Sequence, residues 1–108
     1  DIPSVDECLA AARINLPSDD RLFYGFLQKG IWDYFELRLH LAGSDMTKEK
    51  LADRLKEQKV SVRLVNELQA ILAQCETGQF TNAVLAGSKA DLFQQAETTL
   101  KTIQAALL

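Results

Sequence analysis

Apolar residues recur along this chain at spacings of three and four, the period of helices that each bury one face. Val5, Cys8, Leu9, Ala12 and Leu16 share such a face behind Ser4, which forms a capping box with Glu7 three residues on. Pro17 closes this helix, because its ring lacks an N–H donor and collides with the preceding turn. Ser18, followed by Asp19 and Asp20, then caps a second helix and sets negative charge at its positive end.

The second helix is predicted over about residues 18–42. Leu22, Phe23, Phe26, Leu27, Ile31, Tyr34, Leu37 and Leu41 form one wide stripe, and Tyr24, Trp32, Phe35 and Leu39 lie off it. A helix apolar on nearly every side is a central one, covered by neighbours on two sides. Phe23, Phe26, Trp32, Tyr34 and Phe35 are accordingly expected in the core. Gly30 falls on the stripe, where a missing side chain suits a close helix crossing.

Thr47 caps a short third helix with Leu51 and Leu55 inward, and Ser61 caps a fourth carrying Val65, Leu68, Ile71, Leu72 and Cys75. Gly78 is expected to end that helix. A loop from Gln79 to Gly87 follows, and Ser88 with Asp91 opens a last helix bearing Leu92, Phe93, Ala96, Leu100, Ile103 and Leu107. The tetrapeptide Leu-Ala-Gly-Ser occurs at residues 41–44 and 85–88 as punctuation and not as a repeat unit. The expected fold is all-α: a bundle of about five helices around a long central one, in a single domain over residues 1–108.

Composition sharpens this picture. The 108 residues are 47% hydrophobic and 25% charged, with only 5 Gly and 2 Pro, a balance that favours helices over a sheet. Net charge is −3, and residues 1–20 carry five acidic side chains against Arg13 alone. No stretch forms the basic stripe that a phosphate backbone requires. The 2 cysteines, Cys8 and Cys75, fall at apolar helical positions and are expected to be reduced core thiols. The longest uncharged run, Thr77 to Ser88, is far short of the ~20 apolar residues of a spanning helix. The chain starts at Asp1 and its only methionine is Met46, so a fragment of a longer protein is expected.

Chemistry-bearing constellations are scarce. His40 is the only histidine, at the end of the central helix, where its charged form would suit the helix dipole. Asp33 and Glu36 share a face with Lys29 as a solvated, ion-pairing surface, and Asp45 has too few acidic neighbours for a calcium loop. The expectation is a protein that is not an enzyme, with no metal and no cofactor. The main competing motif runs over residues 47–68. There Thr47, Glu49, Leu51, Ala52, Leu55, Val60, Ser61, Val65 and Leu68 follow a helix-turn-helix pattern, as in DNA-binding modules. Its second helix opens with Arg63 as its one early cation, followed by Glu67.

The segment from Phe23 to about Ile103 resembles a known family. Phe23-Tyr24, then Ile31-Trp32-Asp33-Tyr34-Phe35, then Thr47 to Leu55, then Leu68 to Phe80 with Cys75-Glu76 inside it, look like the C-terminal helical region of the BatD family. These are membrane-anchored proteins of bacterial Bat, or aerotolerance, operons. The resemblance implies a tail on the cytoplasmic side of the bacterial inner membrane, following an upstream membrane span. It implies protein partners among the operon's von Willebrand A-domain proteins, a tetratricopeptide protein and a MoxR-type ATPase, in a complex linked to oxygen and stress tolerance. It transfers no catalytic residue. In the loop, Phe80, Val84 and Leu85 are the residues expected to touch a partner, with Phe80 folding back to close the bundle as the competing account.

Overall fold

The computed structural model describes residues 4–80 and 89–107, and these are helical with no strand among them. Five α-helices follow in order: α1 (Val5–Ile14), α2 (Asp20–Leu39), α3 (Lys48–Glu57), α4 (Val62–Phe80) and α5 (Lys89–Ala106). A single 3-10 turn, Gly43–Asp45, lies between α2 and α3.

Side-chain caps place most of the starts. The Ser4 hydroxyl accepts the Glu7 amide at 3.1 Å, Thr47 accepts that of Lys50 at 3.2 Å, and Ser61 accepts that of Leu64 at 3.3 Å. Each satisfies one of the amides that a helix start leaves without a partner. At α2 the cap is Asp19, whose carboxylate accepts the Arg21 amide at 2.8 Å, and not Ser18. An ionised carboxylate beside the positive helix end outcompetes a neighbouring hydroxyl.

The helix ends depart further from the periodicity. α1 stops at Ile14, before Pro17 is reached, because the proline disfavours helical backbone at Leu16. There the Asn15 side chain donates to the Ala11 carbonyl at 2.8 Å. α2 stops at Leu39 and not near Ala42: His40 is left-handed, with φ 54°. The Leu41 amide then closes back on the Glu36 carbonyl at 3.1 Å, and Leu41 turns into the core. α3 ends in the same way, with Lys59 at φ 64°, the Val60 amide on Leu55 at 3.0 Å and Val60 buried. This is the closing pattern usually built on glycine.

α2 packs on α1, α4 and α5, while α4 packs on α2, α3 and α5, so two helices share the centre. Buried residues of all five helices join one core. Phe23, Tyr34 and Phe35 are its largest enclosed side chains, and Tyr34 meets Phe35 edge-on at 5.2 Å between ring centres. Trp32 is only half-buried and packs against the core from outside. Phe26 corrects the expected core: it is 37% exposed, together with Leu22 at 53% and Leu37 at 44%. Neighbouring helices cover α2 over an arc that includes Phe23, Leu27, Ile31 and Phe35, and the apolar stripe is wider than that arc.

Two glycines set helix spacing. At Gly30 a β-carbon would fall well inside 3.0 Å of the Cys8 carbonyl oxygen, so α1 and α2 touch backbone to residue. Gly78 does not end α4. It is enclosed within the helix, facing the ring of Tyr24 with no room for a β-carbon. α4 continues to Phe80 because this contact with α2 extends its buried face by another turn.

Candidate functional site

Close seating of α1 on α2 creates a groove on the outer side of the pair, with a volume of about 480 Å³. α1 supplies Glu7, Cys8 and Ala11, and α2 supplies Phe26, Lys29, Gly30, Asp33 and Leu37. Gly30 lets the Cys8 backbone of α1 seat directly on α2 between Phe26 and Leu37. Leu22 and Ile14, the latter 74% exposed, add apolar surface on the same two helices. Monomeric proteins scatter single apolar residues over their surfaces, and several together in a concave site mark a place for association.

Charged side chains line the groove. Lys29 donates to Asp33 one turn on, at 2.7 Å, a solvated pair that contributes little to stability. The hydrogen bond and negative charge of Asp33 hold the Lys29 ammonium above its ordinary value. On α1, Asp6 is paired with Lys101 of α5 at 3.2 Å, and on α2 the charge of Glu36 adds to that of Asp33 on Lys29. Burial, and then the negative charges of Asp33 and Glu7, push the Cys8 thiol up, so that it is neutral and a weak nucleophile at pH 7.

A second depression, about 890 Å³, lies between α4 and α5 over a floor of Ile71, Leu92 and Thr99. Glu67, Gln74, Asp91, Gln95 and Thr98 line it, a set of carboxylates, amides and hydroxyls with no cation among them. Ion pairs elsewhere tie elements together: Arg13 reaches Glu97 at 2.5 Å and lies over the Phe93 ring, and Lys89 reaches Asp20 at 3.0 Å.

His40 is the exposed C-terminal cap of α2 and does not line the groove. Among the described residues no three histidine, cysteine or acidic side chains converge as a metal site would need. Of the partner-contact residues expected from sequence, Val84 and Leu85 lie outside the described residues, and so does the Phe80 side chain, whose backbone ends α4. Leu22, Phe26 and Leu37 were legible as apolar but not as surface. The available signal was that Lys29, Asp33 and Glu36 fall on the same side of α2.

Cys75 is fully enclosed, and burial, with Glu76 adding, pushes its thiol from an ordinary 9.0 up to about 12. A thiol-specific reagent is expected to label Cys8 well before Cys75 in the native protein, read by mass spectrometry of the digested chain. The same shift makes stability depend on pH. The unfolded thiol loses its proton near 9.0 and the folded one near 12, so the unfolded state binds fewer protons between those values. Stability should fall across that window, by up to about 1.4 kcal/mol per pH unit from this one group. Urea melts of wild type and Cys75→Ala at pH 7 and pH 10 check this, the variant showing the smaller alkaline loss.

Comparison of the chain with protein-family models, curated proteins and solved structures finds no match. Among the described residues no helix is long and apolar enough to cross a membrane.

Proposed function

We propose that this domain is a non-catalytic protein-interaction module, the cytoplasmic tail of a membrane-anchored BatD-like protein that helps assemble a Bat-type complex at the bacterial inner membrane. The supporting observation is the α1/α2 groove, where Phe26 and Leu37 reach solvent across a concave surface on a tightly packed body. The family resemblance at Ile31-Trp32-Asp33-Tyr34-Phe35 and at Cys75-Glu76 supplies the partner class: von Willebrand A-domain, tetratricopeptide and MoxR-type ATPase proteins.

Purified members of those three classes from the source genome, titrated calorimetrically into the 108-residue chain, test the proposal. At least one should bind saturably. Absence of heat and of co-elution with all three would overturn it.

DNA binding is the second reading, favoured by one observation. The α3–α4 turn exposes Lys56, Lys59 and Arg63. Against it, α4 is covered by α2, α3 and α5, and Glu67 follows one turn after Arg63. A shift of duplex DNA whose affinity falls steeply with salt would replace the first reading with the second.

A further inference from the structure

We infer that α1 is a releasable cover, a short helix that closes over α2 and α5 and opens as a unit while α2 and α4 stay packed. A cover of this kind is independent of the partner class proposed above.

α1 packs on α2 and α5 and is 10 residues long, and a detached helix of that length does not persist in water. Opening therefore unfolds it and exposes its amides. Residues 15–19, which link it to α2, are non-helical. Pro17 keeps the two helices from merging into one, so α1 pivots there. Inward, α1 contributes Val5, Leu9 and Ala12 as its buried residues, a small share of the common core. At the crossing α2 offers only Gly30, so the fit is close but brings little apolar area.

Charge ties α1 to α5. Asp6 pairs with Lys101 at 3.2 Å, while Arg13 pairs with Glu97 and lies over the Phe93 ring at 4.8 Å. Both pairs reach solvent, so salt screens them. Closure also disfavours one group. The Tyr34 hydroxyl is buried without a hydrogen-bond partner among the described residues. Burial raises its pKa, Arg38 opposes that shift and Cys8 of α1 adds to it, which sets α1 beside the hydroxyl. A buried hydroxyl left unpaired favours a form in which water reaches it. Opening α1 is the movement that admits water there. It also uncovers Gly30 and the Phe93 ring, surface that the closed form hides.

Native-state hydrogen exchange of the whole 108-residue chain, read by mass spectrometry of its peptides, is the test. Peptides covering α1 should exchange about tenfold or more faster than those covering α2 and α4, and their rates should rise less steeply in low urea. Raising salt from about 20 mM to about 500 mM should speed α1 about threefold or more and leave α2 unchanged. The double variant Glu97→Gln/Lys101→Gln, which removes both ion pairs, should show the fast α1 rate already at low salt. Tyr34→Phe, which removes the unpaired hydroxyl, should slow α1 about fivefold or more. Exchange of α1 in step with α2 and α4 overturns the inference. So does a wild-type α1 rate indifferent to salt, a double variant as slow as wild type at low salt, or unslowed α1 exchange in Tyr34→Phe.

Discussion

Replacing Phe35 by alanine is expected to destabilise the domain by about 3–5 kcal/mol, the range for removing a fully enclosed phenylalanine. The ring is 0% exposed and sits edge-on to Tyr34 at 77° between planes, so truncation leaves a cavity and deprives Tyr34 of its aromatic neighbour. α2 cannot shift to close the gap without breaking the shared core, because it is held by α1, α4 and α5. Domains of this size have roughly 5–15 kcal/mol of stability to lose. The melting temperature should therefore fall by more than about 10 °C. Trp32→Ala is the contrasting case: the larger side chain, but half-buried at the core's edge, so its loss should cost clearly less than that of Phe35. Thermal melts by circular dichroism decide it. A Phe35→Ala protein melting within a few degrees of wild type, or one more stable than Trp32→Ala, would mean that α2 is not the inner element described.

The fold class was legible because helix periodicity and capping chemistry are local. Ser4, Thr47 and Ser61 each sit next to the amides they satisfy, so sequence order alone brings the partners together. Where two acceptors adjoin, as Ser18 and Asp19 do, order does not rank them. Gly78 illustrates the opposite limit. Glycine near the end of an apolar run is most often a stop signal, but this one is shaped by the Tyr24 ring, which no neighbouring residue announces. His40 and Lys59 adopt glycine's conformation without being glycine, and the cause again lies downstream, in Leu41 and Val60 turning inward. The groove was hidden for a related reason. Periodicity gives the width of an apolar stripe, whereas the part left uncovered depends on how many helices arrive to cover it. Leu22, Phe26 and Leu37 therefore read as core until α1 is seen to cross at Gly30.

Gly30→Ala is expected to destabilise the domain despite improving helix propensity, and comparison with two other glycines isolates the reason. Exchanging a mid-helix glycine for alanine favours the helix by about 1 kcal/mol when nothing is in the way. At Gly25 the new methyl would meet only the Gln79 amide group, 3.6 Å away, so Gly25→Ala should be neutral to stabilising. At Gly78 it would strike the Tyr24 ring, a side chain that can turn at some cost. At Gly30 the obstacle is the Cys8 carbonyl, part of the α1 backbone, and Leu9 stands 3.3 Å away on the same helix. A carbonyl inside a helix cannot rotate aside, so α1 as a whole must lift. Lifting it loosens Val5, Leu9 and Ala12, all buried. Overpacking of this kind costs about 1–3 kcal/mol and sometimes more, which exceeds the propensity gain. Urea denaturation should therefore order the three variants with Gly25→Ala most stable, Gly78→Ala between, and Gly30→Ala least stable. The Gly30 variant should also reshape the groove between α1 and α2. If Gly30→Ala proved as stable as Gly25→Ala, α1 would not be pressed against α2, and the groove formed by that contact would not exist in solution.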